Sequence, residues 1–387
     1  MFNFQSPPPL SLYVHLPWCE RKCPYCDFNS FEVKGAFDEH LYVDALLIDL
    51  EQELPLIWGR RLESVFIGGG TPSLFSVTAI TRLMNGLRAL LPALIPDTEV
   101  TLEANPGSAE QEKFRGYHDA GINRLSIGVQ SFDDAMLKVL GRVHNSKEAT
   151  KAVESARLAG FDNLNLDLMF ALPGQSLKSA INDIETALAF QPEHLSYYQL
   201  TIEPNTFFHS HPPVIPNDDS AWDIETAGHQ HLLDANYQHY EVSAFCQPKR
   251  ESRHNLNYWQ FGDYIGIGAG AHGKISLPRE KRILRRWKVK QPKEYMQKAG
   301  SEQRIGGESF LNSDDIQLEF ALNAFRLQKG FDAELFSANT GCPADDFNAK
   351  LKAAEEKGFV QCKNNKILPT EQGKRFLNDL VALFNAD

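Results

Sequence analysis

Short apolar runs alternate with longer segments whose apolar residues recur every three or four positions through the first half of the chain. The run Leu10–Leu16 and the buried-type segment Ser64–Ile67 read as strands, and Leu41, Ala45 and Ile48 between them keep helical spacing. The alternation then repeats. A helix to about Leu91, the strand Glu99–Glu103, a helix to about Ala120 and the strand Arg124–Gln130 follow in order. Helices at about Lys147–Ala159 and Ser176–Ala189 lead into strands Leu164–Met169 and His194–Leu200. Parallel neighbours need crossover helices, so this α/β pattern predicts six β/α units curled into a partial TIM-type barrel.

After this the pattern changes. The proline-rich stretch His209–Pro216 reads as a solvated linker, followed by a helix from about Asp219 to Ala235 and a strand over Tyr240–Phe245. Gly266–Gly273 resembles a phosphate loop superficially, but it lacks the strand-turn-helix setting, and close backbone packing is the favoured explanation. From about Asp314, three helices and a hairpin pairing Phe359–Val360 with Lys366–Leu368 predict a small winged-helix-like domain. The expected division is a core domain over 1–240, a connecting segment over 241–305 and a C-terminal domain over 306–387.

Composition narrows the class. A chain of 387 residues exceeds what one core usually supports, and the cysteines outside one cluster (Cys246, Cys342, Cys362) are scattered rather than framed for disulfides. Met1–Pro9 has no signal-peptide pattern and no run approaches a membrane span, so a cytoplasmic protein is expected. A formal charge of −11 opposes general nucleic-acid affinity. Against that charge, the basic stretch that includes Arg285, Arg286, Lys288 and Lys290 reads either as a solvated strand face or as a contact for anionic groups.

Cys19, Cys23 and Cys26 follow the first strand directly, and Pro24 disfavours helix between the last two. Clustered thiolates suit iron–sulfur or zinc, and a Cys3His zinc site or a disulfide pair remain alternatives to a cluster on the spacing alone. In a barrel of this kind chemistry gathers where strands end. Gly68–Gly70 after the second strand, Glu103, Gln130 and Asp167 all fall near strand ends. The glycines allow close approach of a ligand, the carboxylates can accept from ammonium or hydroxyl groups, and Arg142 could clamp a carboxylate.

Several segments together resemble the oxygen-independent coproporphyrinogen oxidase-like family of radical S-adenosylmethionine (SAM) proteins. They are Tyr13–Pro17, the CxxxCxxC cysteines, Gly68–Pro72, Glu103–Pro106, Gly128–Phe132, Arg142 and Asp167. The resemblance implies a [4Fe–4S] cluster on Cys19, Cys23 and Cys26, with SAM contacted by Tyr13, Gly69, Gly70, Thr71, Glu103, Gln130, Arg142 and Asp167. Two departures separate the chain from the oxidase itself: Asp27 and Phe28, not a further cysteine, follow Cys26, and only Met1–Pro9 precede the first strand. His254–Trp259 instead resembles the HNxxYW motif of the family's heme-chaperone branch. That branch implies heme carried by His254 and delivered to an acceptor protein, with a membrane-bound respiratory enzyme as one candidate. Peripheral membrane association and a homodimer are compatible with it, and coproporphyrinogen decarboxylation, the alternative function, is not expected.

Overall fold

The structure is a computed structural model that describes residues 3–35, 37–91, 97–107 and 111–385. Alternation of side chains along a strand explains the first element. In β1 (Leu10–Leu16), Leu10, Leu12, Val14 and Leu16 enter the main hydrophobic core, while Ser11, Tyr13 and His15 make polar contacts on the other face. Beside it run β2 (Leu62–Gly69), β3 (Glu99–Ala104), β4 (Arg124–Gln130), β5 (Leu164–Phe170) and β6 (His194–Gln199), each parallel to the next. Their crossovers include helices Glu39–Ile57, Val77–Leu90, Phe114–Ala120, Ser146–Leu158 and Leu177–Ala189. Side chains of Asp38, Ser76, Asn145 and Ser176 cap four of these by accepting from orphan backbone N–H groups. This is the six-unit parallel arrangement that the alternating pattern predicts.

Two sequence expectations need correction. The segment Tyr240–Phe245 is not one strand but a tight hairpin, β7 (Gln238–Glu241) turning through Val242 and Ser243 into β8 (Ala244–Cys246), which pairs antiparallel with β6. The segment 241–305 is not merely a connection, because it extends the sheet at both edges. Within it β9 (Asp263–Ile267) pairs parallel with the free side of β1, β10 (His272–Leu277) and β11 (Arg282–Lys288) continue antiparallel, and β12 (Ile305–Phe310), which starts at the segment's last residue, adds the next antiparallel strand. The sheet order is β12-β11-β10-β9-β1-β2-β3-β4-β5-β6-β8-β7. Glycines make the β9–β10 turn possible. A Cβ on Gly266 would lie 2.1 Å from the His272 carbonyl oxygen, and Gly268, at φ +108°, would meet the His15 carbonyl at 2.4 Å.

The basic stretch is internal only in part: Lys288 is buried and Arg285 and Arg286 are half-buried, while Arg279, Lys281, Arg282, Lys290 and Lys293 are exposed. Arg285 pairs with Glu319, and Arg286 pairs with Glu53 at 3.2 Å and Glu308 at 2.9 Å. Buried Lys288 meets Asp49 at 2.5 Å and Glu53 at 2.7 Å, while buried Arg304 meets the same two acids, each at 2.9 Å. Charges removed from water must be paired, and the helix Glu39–Ile57 supplies both acids.

The tail folds around a second core, which includes Ile316, Phe320, Phe336, Phe347 and Phe384 together with Phe261 and Ile283 of the preceding segment. Helices Ser313–Ala324, Leu335–Thr340 and Asp345–Glu356 precede the wing, and β13 (Phe331–Asp332), β14 (Val360–Lys363) and β15 (Lys366–Pro369) pair in the order β13-β15-β14. Arg326 ties this domain to the hairpin through Glu241 at 3.0 Å.

Candidate functional site

The chain leaves β1 through Pro17 into a short parallel pair, Trp18–Cys19 with Phe31–Glu32, which closes the loop carrying the thiols. Backbone bonds from Phe31 N to the Pro17 carbonyl, 2.7 Å, and from Val33 N to the Cys19 carbonyl, 2.9 Å, fix its base. Within it the Cys26 N–H donates to the Cys23 carbonyl at 3.1 Å, and the Lys22 ammonium donates to the Phe28 carbonyl at 3.0 Å. A loop held at these points can present three thiols inward.

All three thiols line one cleft at the C-terminal ends of the strands, together with Gly69, Gly70, Thr71, Glu103, Gln130, Arg142 and Asp167. Counting the part open to solvent, the cleft spans about 880 Å³. That volume is within the range of small-molecule sites. Seven of the eight residues expected around SAM therefore share the cleft with the cysteines. Tyr13 does not. It lies on the wall of an adjoining cavity, with its hydroxyl 2.9 Å from His15 Nδ1, and that cavity shares Phe28, Gly69 and Glu103 with the first.

Neighbours position the polar groups expected around SAM, although the buried Nε of Arg142 has no hydrogen-bond partner among the described residues. Glu103 Oε2 accepts from the Gly69 N–H at 2.9 Å, and Asp167 accepts from Asn165 at 2.8 Å and from Ser126 at 3.2 Å. Gln130, at φ +70°, points its amide oxygen to the Tyr198 hydroxyl at 2.7 Å. Arg142 donates to Asn105 Oδ1 at 2.7 Å and to the Gly128 carbonyl at 2.9 Å, with Nη1 3.6 Å from Cys23 Sγ. Asn105, Ser126 and Tyr198 were not singled out from sequence. Asn105 follows Glu103 closely enough to be found as a strand-end polar residue, whereas nothing local marks Tyr198.

Burial dominates the electrostatics. It raises the Glu103 carboxyl from 4.5 to about 7, against the Gly69 hydrogen bond and with a further push from Asp167. The same cause raises Asp167 although three side chains donate to it, and it raises the Cys19 and Cys26 thiols. Two buried carboxylates with raised affinity for protons favour a cationic ligand, since a positive charge would stabilise their ionised forms. Among the described residues no three His, Cys, Asp or Glu side chains converge as around a single ion. The three thiols line the same cleft, and thiolates are the ligands that hold iron–sulfur clusters.

His254 lies outside both cavities. It sits on helix Arg253–Trp259, 4% exposed, with Nδ1 2.8 Å from Ser64 Oγ and its backbone N–H donating to Glu99 at 3.2 Å. Its ring stacks on Phe66 at 4.9 Å and meets the edge of Tyr258 at 5.0 Å. Burial, with the Arg124 charge nearby, depresses its pKa to about 3. The expected heme ligand is thus sealed beneath Tyr258, because helical spacing puts residues four apart on one face and only the outer one reaches the cavity.

Comparison with known proteins places this geometry. The radical SAM superfamily model matches residues 13–187 and the HemN C-terminal domain model residues 311–376. A heme chaperone HemW from Escherichia coli (strain K12) is 49% identical over 381 residues, covering 98% of this chain and 99% of that protein. The chain belongs to the HemW family. Another HemW, from Haemophilus influenzae, is 45% identical over 97% of this chain and 98% of its own, and that of Bacillus subtilis is 35% identical with the same coverage. The solved structure of E. coli coproporphyrinogen III oxidase (HemN), a radical SAM enzyme, superposes with a TM-score of 0.82 at 23% identity, covering 98% of this chain and 91% of the oxidase. That likeness is one of fold. For a HemW-family chain the radical SAM match implies SAM and a [4Fe–4S] cluster, and the donor set of the cleft fits both.

Proposed function

We propose that this chain binds heme and delivers it to an acceptor protein, with a SAM-liganded [4Fe–4S] cluster held beside the cargo. The observation that carries this reading is the position of Tyr258. It comes from the HNxxYW helix and lines a cavity that shares Phe28, Gly69 and Glu103 with the thiol-lined cleft. The relatives named as heme chaperones match nearly the whole chain, which supports the same conclusion.

In this reading Cys19, Cys23 and Cys26 would hold the [4Fe–4S] cluster and leave it open to SAM. Gly69, Gly70 and Thr71 let that end of the ligand approach backbone, Arg142 pairs with its carboxylate, and Glu103 and Asp167 receive its positive or hydroxyl-bearing parts. Gln130 and Tyr13 border the remainder. When bound and reduced, the cluster with SAM supplies one-electron chemistry. The acceptor is proposed to be a heme-requiring enzyme at the membrane surface, met by a cytoplasmic chaperone that can pair with itself. Among the described residues no helix is long and apolar enough to cross a membrane. Nucleic acid is not a proposed partner, given the charge of −11.

The test is anaerobic reconstitution with iron and sulfide, titration with heme, and transfer of bound heme to an apo-acceptor followed by absorbance. Stoichiometric binding with transfer supports the proposal. Robust decarboxylation of coproporphyrinogen III under reducing conditions, followed by fluorescence, would replace it with the oxidase reading.

A further inference from the structure

His272 is the imidazole that the adjoining cavity leaves available. The cavity spans about 1070 Å³ counting its open part, and its wall presents the rings of Tyr13, Tyr258 and Tyr264. Tyr258 and Tyr264 lie 4.3 Å apart between ring centroids. Aromatic faces of this kind suit a flat apolar macrocycle. Three histidines lie near, and the structure distinguishes them. His254 is sealed below Tyr258. His15 has both ring nitrogens engaged, Nδ1 with the Tyr13 hydroxyl and Nε2 with the Asn29 carbonyl, each at 2.9 Å. His272 is exposed at the start of β10, is braced by Trp287 in a stack at 6.0 Å, and makes no ring hydrogen bond among the described residues.

A ligand for heme iron needs a free lone pair, a fixed ring and access. Only His272 combines these in the cavity wall. Burial, with Arg285 and Lys290 nearby, also lowers its pKa, which favours the neutral ring. Lys290 stands exposed at the same cavity with its ammonium in no ion pair among the described residues, placed for an anionic substituent of the ligand. We infer that this cavity is the heme site, that His272 supplies an axial ligand to the iron, and that Lys290 pairs with a propionate. The inference rests on the heme reading above and makes the site specific.

Hemin titrations of the full, reconstituted chain test it, with the Soret band, resonance Raman and electron paramagnetic resonance as readouts. Wild-type protein should give an imidazole-ligated spectrum. His272→Ala should lose that signature and bind roughly tenfold more weakly or worse. Added imidazole should restore the signature, and His272→Met should replace it with that of a thioether ligand. Lys290→Glu, at an exposed position, should weaken binding several-fold without changing the ligand signature. The cluster absorbance of each variant reports whether it has folded. A wild-type spectrum in His272→Ala, or its loss in His254→Ala with His272→Ala unaffected, would overturn the assignment and leave the chaperone reading standing. No stoichiometric heme binding by the wild type would remove the chaperone reading itself.

Discussion

Glu103→Gln isolates the electrostatic design of the cleft. The amide keeps the size of the side chain and an oxygen that can accept from the Gly69 N–H, which now lies 2.9 Å from the carboxylate, but it cannot ionise. A rise from 4.5 to about 7 on folding corresponds to about 3 kcal/mol at full strength. The sign is fixed by which state holds the proton. With the raised pKa in the folded state, the stabilising contribution is complete below about pH 4.5 and is lost as pH rises towards 7. Unliganded wild type should therefore lose up to about 3 kcal/mol relative to Glu103→Gln between those limits. A cationic ligand reverses the preference: ionised Glu103 faces a positive charge, so SAM should bind wild type more tightly as pH rises from 6 to 8 and release a proton on binding. Denaturant titrations at several pH values give the first quantity. Calorimetry in buffers of different ionisation enthalpy gives the second, always as wild type minus Glu103→Gln so that the thiols cancel and the difference reports Glu103 with its coupling to Asp167. Identical pH slopes in the two proteins, or undiminished proton release in the variant, would refute this account of the site.

Cys19→Ala, Cys23→Ala and Cys26→Ala should each abolish the absorbance of a four-iron cluster, and metal analysis of freshly isolated anaerobic protein should find iron, with stoichiometric zinc counting against the cluster. Arg142→Lys keeps the charge but cannot reproduce the fork that spans Asn105 Oδ1, the Gly128 carbonyl and the neighbourhood of Cys23, so SAM affinity should fall roughly tenfold; unchanged affinity by equilibrium dialysis would deny it a role. Lys288→Met leaves Asp49 and Glu53 short of a buried cation and should destabilise the fold by about 3–5 kcal/mol in denaturant titrations. Arg285→Glu with Arg286→Glu should also lower stability, because it sets new acids against Glu319, Glu53 and Glu308, and a fully stable double variant would contradict those pairings.

What could be read in the sequence follows from range. The parallel strands were legible because strands covered on both faces appear as continuous apolar runs, and their polar ends stood out against them. Of those strand-end residues Gly69, Gly70, Glu103, Gln130 and Asp167 share the cleft with the thiols, and it is the family resemblance, not the pattern, that implies SAM for them. Partners far away in sequence were not legible. Arg286 and Lys288 stood in a stretch that read either as a solvated face or as a contact for anionic groups, because Asp49 and Glu53 lie more than two hundred positions earlier, and yet those acids sit four apart on the buried side of their helix with Leu46 and Leu50. Acids on an apolar face were the missed signal. The HNxxYW motif shows the same limit at closer range. Its helix fixes His254 on Ser64, and Asn257 donates to the Asp263 carbonyl at 2.8 Å, which ties the start of β9 to it. Arg326 covers the Trp259 ring at 4.3 Å and joins the helix to the C-terminal domain, so of these residues only Tyr258 faces the cavity. A motif whose residues brace one another can be essential to a binding site while contributing a single side chain to its wall. Loss of heme in a motif variant would then report collapse of the wall unless the iron's ligand signature is read directly.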